Sequence, residues 1–180
     1  RWLLEIVGVQ LRMGEAAVLS ETLVSDAREY YGANHKTAIY HEVSLAQYQF
    51  ATMRLSGQPI PVDFERPYGS LERVERLLGG LHPVTLKARL AESMLALNEL
   101  GGTAVDGDAA RGELDTLVQD SRRVLGDTHA RTLEAIYIQG IIRLVAGDLE
   151  ASAKLFRESY DGFVANHGEH HPMAHQVASM

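Results

Sequence analysis

Four histidines crowd the C-terminal end of the chain: His167, His170, His171 and His175. Two imidazoles four residues apart on a helix can share a metal ion, and His171 with His175 has that spacing. A hydrolytic metal site needs a fuller ligand set. Glu169 directly precedes His170 and His171, which is not the His-Glu-x-x-His order of zinc hydrolases, and the chain has no cysteine. Other chemistries lack their signatures too, since neither a Gly-x-x-x-x-Gly-Lys-Ser/Thr phosphate loop nor a Gly-x-Ser-x-Gly nucleophile elbow occurs. The acid pairs Asp106 with Asp108 and Glu72 with Glu75 fall on expected loops or exposed helix faces. An exposed carboxylate there stays ionised at neutral pH and transfers no proton. The residues therefore predict no catalytic group, no cofactor and no metal. A metal-dependent enzyme or metal-binding protein built on the C-terminal histidines is the alternative.

His171 has a second, positional account. Gly-x-x-His occurs four times, at Gly32–His35, Gly79–His82, Gly126–His129 and Gly168–His171, at intervals of 47, 47 and 42 residues. Self-similarity at such a period marks a repeat architecture. Counting from each histidine, +4 holds Ile39, Leu86 and Leu133, +8 holds Val43, Leu90 and Tyr137, and +15 holds Phe50, Leu97 and Leu144. The +11 position is always small: Ala46, Ser93 and Gly140. Steps of four, three and four put these columns on one helical face, with room at +11 for close helix approach. Counting back, −4 gives Tyr31, Leu78 and Leu125, −5 gives Tyr30, Leu77, Val124 and Asn166, and −8 gives Ala27, Val74, Ser121 and Phe163. A second, mostly apolar helical face should precede each Gly-x-x-His.

One repeat therefore reads as helix, turn, helix, cap. Each Gly is placed to take the left-handed conformation that closes a helix, and Pro83 and Pro172 follow their histidines where a helix begins and a missing N–H costs nothing. The histidine column is expected to be structural, its imidazoles bridging neighbouring helix ends. The turn Ala146-Gly147-Asp148 is tight, whereas 56–62 and 101–107 are longer and looser. Pro67-Tyr68-Gly69 delays the next helix, with Ser70 as its N-cap. The pattern predicts an all-α chain with helix pairs near 1–13 and 15–31, 37–55 and 70–79, 84–100 and 109–125, 131–146 and 149–166, then a stub after Pro172. Its units are 1–34, 35–81, 82–128 and 129–170, with a truncated helix over 171–180.

Composition narrows the partners. With 17 Lys+Arg against 24 Asp+Glu the net charge is −7, and no basic run exceeds Arg122-Arg123, so nucleic acid is excluded as an electrostatic partner. Apolar residues make up 46% of the chain, enough for a folded core, yet no run approaches the length that crosses a bilayer. A soluble, cytoplasmic protein is expected. The chain opens on Arg1-Trp2-Leu3, already in an amphipathic pattern, and closes in a helix with no room to finish, so it reads as a piece of a longer polypeptide. An unfinished apolar end at that helix invites self-association.

The third unit, from His129-Ala-Arg-Thr-Leu133 through Gly140, Gly147, Ala151 and Phe156 to Gly168 and His171-Pro172, resembles the 42-residue tetratricopeptide repeat of the kinesin light chain type. That pattern reads Leu-Gly-x-x-His-Pro-x-Thr-Leu. Leu125-Gly126-Asp-Thr-His129 and Leu81-His82-Pro83-Val-Thr85-Leu86 match it closely, Gly32-Ala-Asn-His35-Lys36 loosely, and Gly8 and Gly14 look like a degenerate earlier copy. The resemblance implies a right-handed superhelix, an α-solenoid of antiparallel helix pairs, whose first helices line a concave groove for a peptide or partner domain. It also implies a scaffold, sensor or regulatory part of a larger signalling protein, such as a transcription regulator. The groove residues it points to are Tyr40, Ser44 and Tyr48, then Lys87, Ala91 and Leu95, then Glu134 and Ile138. Where the family often carries a peptide-clamping asparagine, nine residues after the histidine, this chain has Ser44, Ala91 and Ile138.

Overall fold

The structure, a computed structural model, describes residues 2–57, 64–100 and 107–179. Among them are eight helices and no strand: α1 Trp2–Tyr31, α2 Lys36–Leu55, α3 Leu71–Leu78, α4 Pro83–Leu100, α5 Gly107–Leu125, α6 Ala130–Val145, α7 Leu149–His167 and α8 Pro172–Ala178. No helix is long and apolar enough to cross a membrane among the described residues. The chain divides into two compact units, Arg1–Ala91 and Glu92–Met180, with the division inside α4.

In the first unit α1 packs against α2. α1 buries Ser20, Val24 and Ala27, a step of four and then three, so one stripe faces the core. From α2 come Ile39, Val43 and Ala46, which join Val74 of α3, Val84 and Ala88 of α4, and Tyr68 in one cluster, with Leu71 and Leu78 packed at its margin. A buried carboxylate ties the polar side together. Glu42 is 0% exposed and accepts from Arg28 Nε and Arg73 Nη1, each at 2.8 Å. Arg73 also donates to the carbonyls of Tyr68 and Ala33 at 2.7 Å, and Arg28 to that of Pro67 at 3.1 Å. A charge taken out of water is tolerable only when paired and hydrogen-bonded in this way.

In the second unit α6 packs between α5 and α7, and α8 lies on α7. The approach of α6 to α7 is set by missing side chains. A Cβ on Gly140 would stand 2.6 Å from the Phe156 ring, and one on Gly162 would collide with Leu133. The helices close far enough for the Ser152 hydroxyl to donate to the Gly140 carbonyl and that of Ser159 to the Leu133 carbonyl, each at 2.9 Å. Asp115 of α5 accepts from Gln139 Nε2 at 2.5 Å and from Arg143 Nη2 at 3.2 Å on α6.

The +4, +8 and −8 columns hold where side chains are described. Ile39, Leu86 and Leu133, then Val43, Leu90 and Tyr137, are all buried, as are Ala27, Val74, Ser121 and Phe163. The −5 and −4 columns depart from expectation, because Tyr30, Leu77, Val124 and Tyr31 are exposed and Leu78 and Leu125 only half-buried: both columns occupy the last two positions of α1, α3 and α5, where the helix ends. Ser70 caps α3 as expected, accepting from Arg73 N at 3.2 Å, and Gly147 closes the tight turn before Asp148, which caps α7. Most of the two looser turns lies outside the described residues.

Two further expectations need correction. Helices 1–13 and 15–31 are one uninterrupted α1. Glycine in a helix interior costs about 1 kcal/mol relative to alanine but keeps both backbone hydrogen-bonding groups, and without proline or a capping residue Gly14 does not end the helix. The final helix is not an exposed apolar end either, since Ala174 and Val177 of α8 are buried and Gln176 Nε2 donates to the Tyr137 hydroxyl at 3.2 Å.

Candidate functional site

The four Gly-x-x-His segments fold alike. In each, the glycine N–H donates to the carbonyl four residues back: Gly32 to Arg28 at 3.0 Å, Gly79 to Glu75 at 2.8 Å, Gly126 to Arg122 at 3.0 Å and Gly168 to Val164 at 2.9 Å. All four have positive φ, between 83° and 94°. At Gly79 and Gly168 ψ is 149° and 162°, so the chain leaves the helix through an extended conformation open in practice only to glycine, not through the left-handed helical one. The histidine N–H then returns to the glycine carbonyl, at 3.1, 3.2, 3.4 and 3.2 Å in chain order.

Each histidine also caps the helix it opens. His35 Nδ1 accepts from Thr37 N, His82 Nδ1 from Val84 N and His129 Nδ1 from Arg131 N, all at 3.2 Å, and His171 Nδ1 accepts from Met173 N at 3.3 Å. The ring satisfies one of the orphan donors at a helix start, the task usually given to Ser, Thr, Asp or Asn. An accepting Nδ1 requires the neutral ring with its proton on Nε2. Burial holds His129 below the usual histidine range, helped by the charges of Arg131 and His167, and burial with His167 does the same for His171. The histidine column is structural, as expected: each imidazole caps the helix it opens, and those of His35 and His171 also stack on Tyr31 and Phe163 of the helix before.

This capping settles the arrangement of the C-terminal histidines. His171 stacks on Phe163 with ring centroids 5.2 Å apart and lies 4.9 Å from His167, while His170 faces His175 at 6.3 Å. His171 and His175 do not converge on a common point through Nδ1, which His171 has committed to its cap. Among the described residues no three His, Asp or Glu side chains come together as a metal ligand set.

The eight groove residues fall into both compact units. Tyr40, Ser44, Tyr48, Lys87 and Ala91 belong to the first, Leu95, Glu134 and Ile138 to the second. Three are brought into contact. Lys87, only 4% exposed, sets its ammonium 4.2 Å from the centre of the Tyr40 ring and donates to Ser44 Oγ, which in turn donates to the Tyr40 carbonyl at 2.8 Å. A cation against an aromatic face is stabilised by the ring quadrupole, the more so when little water intervenes. The polarity is the reverse of a serine activated by a neutral lysine: the hydroxyl proton is held by a carbonyl, and the ammonium gives a proton to the oxygen lone pair. What this arrangement offers a ligand is the Tyr40 ring, 42% exposed and backed by the Lys87 ammonium. Tyr48, Leu95 and Glu134 are partly exposed, while Ser44, Ala91 and Ile138 are buried. The supporting Arg28–Glu42–Arg73 cluster had no local signal in the sequence, because its members lie 14 and 31 residues apart.

No protein-family model matches the chain, and no curated protein matches it either.

Proposed function

We propose that the chain is a tetratricopeptide-type helical repeat, with its helix pairs arranged as a right-handed solenoid, that binds a peptide or partner domain on the first helices of its repeats. The reading includes its use as a scaffold or regulatory part of a larger, cytoplasmic signalling protein. The observation that carries it is the fourfold recurrence of one capped turn: the same glycine conformation, the same backbone bonds and the same imidazole cap at Gly32–His35, Gly79–His82, Gly126–His129 and Gly168–His171. A chain that restarts its helices by one device at near-constant intervals builds similar stacked units, and such arrays present extended binding surfaces. Tyr40 is the anchor this reading favours, since it is an exposed tyrosine on a first helix and tyrosine is enriched among the residues that carry most binding energy at interfaces.

Peptides selected from a random library on the immobilised protein provide the test. Tyr40→Ala should weaken a selected peptide about tenfold or more, as expected when an anchor worth at least about 1.4 kcal/mol is lost. It should lower the melting temperature only modestly through the lost contact with Lys87, so binding is compared at a temperature where both proteins are folded. The surface assignment fails if Tyr40→Ala binds like the parent while Lys154→Glu, at an exposed position of α7, abolishes binding.

A further inference from the structure

A second surface lies on α1, on the side of the helix turned away from its buried stripe. While Ser20, Val24 and Ala27 turn inward, Glu15, Leu19, Leu23, Asp26 and Tyr30 follow one another at steps of four, four, three and four, which keeps them on a single outward face. Its apolar members are open to solvent: Leu19 is 65% exposed, Leu23 46% and Tyr30 82%. Between residues 15 and 30 the described charges on this face are of one sign. Glu15 and Asp26 lie within the row and Glu29 beside it, all three exposed, with no ion pair to a described basic residue. The nearby cation, Arg28, is turned to the other side, bound to Glu42 and the Pro67 carbonyl.

We propose that this face of α1 docks a basic amphipathic helix of a partner, with apolar residues at steps of three and four laid on Leu19, Leu23 and Tyr30 and with Lys or Arg flanking them to meet Glu15, Asp26 and Glu29. The row from 15 to 30 extends about 22 Å, some four turns, which is the scale of helix-on-helix recognition. Complementarity excludes the simplest other occupant. In a second copy of the chain the same face would bring three further carboxylates against these, and like charges across an interface oppose association.

The probe is a synthetic Leu/Lys peptide about 18 residues long with leucine at steps of three and four, compared with a scrambled peptide of the same composition and a Leu/Glu peptide of the same pattern. The patterned Leu/Lys peptide should bind more weakly as salt is raised. Leu19→Ser/Leu23→Ser and Asp26→Lys/Glu29→Lys should each weaken it at least about tenfold, with circular dichroism and melting unchanged. Val145→Ser, at an exposed apolar residue of the second compact unit, should leave binding intact. The proposal is overturned if the scrambled or Leu/Glu peptide binds equally well, or if both double variants bind like the parent. Sedimentation that shows a dimer abolished by Leu19→Ser/Leu23→Ser also overturns it, because the face would then belong to a second copy.

Discussion

A histidine that caps a helix through Nδ1 is a cap with a built-in acid sensitivity. The neutral ring accepts from the backbone N–H; the imidazolium has no lone pair to accept with and sits at the positive end of the helix dipole. His129 and His171 are held below the ordinary histidine value of about 6.5. The unfolded chain therefore takes up protons first as the medium is acidified. The stabilisation is complete above about pH 6.5 and is lost as pH falls from there through the lower folded-state values. At pH 8, His129→Ala should cost about 1 kcal/mol, the usual worth of an N-cap, and His129→Asn should restore most of it. Urea melts between pH 8 and 5 check the sign: the advantage of the parent over His129→Ala must shrink on acidification, and an advantage that grew would mean a charged ring makes the contact. Sequence made the column visible, because glycine and histidine recur in register. Its task was hidden, since histidine is outside the usual set of capping residues.

At the level of helices, the small residue at +11 is where sequence and packing agree best. Gly140 lies in α6, where helix propensity alone says that alanine is better by about 1 kcal/mol. Contact with α7 reverses the sign. A methyl group 2.6 Å from the Phe156 ring and 3.4 Å from Leu155 Cβ must push the helices apart or turn the ring out, so Gly140→Ala should destabilise by about 1–3 kcal/mol. Gly112 of α5 is the control: nothing lies within 4 Å of its added Cβ, and Gly112→Ala should stabilise by about 0.5–1 kcal/mol. Chemical denaturation of the two variants decides it, and equal signs would refute the close-approach account. The same periodicity that located Gly140 misread α1, where Gly14 suggested a break. A glycine without a cap, a proline or a polar turn beside it leaves the helix free to continue.

On the scale of the whole molecule, what joins elements is chemistry with no sequence period. Tyr68, fully buried beside Val74, sits in a segment that reads as a loop between prolines and glycines, and Glu42 meets its two arginines only because α1, α2 and α3 fold together. Neither could be placed by counting along the chain. Both belong to the compact unit Arg1–Ala91, while the Gly140–Phe156 contact belongs to Glu92–Met180. Stability is distributed in cooperative segments, so damage at Glu42 should register first in its own unit. Glu42→Gln leaves two guanidinium groups without their shared charge, at a cost of about 3 kcal/mol, the low end for a broken buried pair because Arg28 is half exposed and keeps part of its hydration. In native-state hydrogen exchange, amides of α1, α2 and α3 should then lose protection by up to about a hundredfold, while those of α6 and α7 change by much less. Uniform loss across all the helices would show that the two units open as one, and the carboxylate would then support the entire chain.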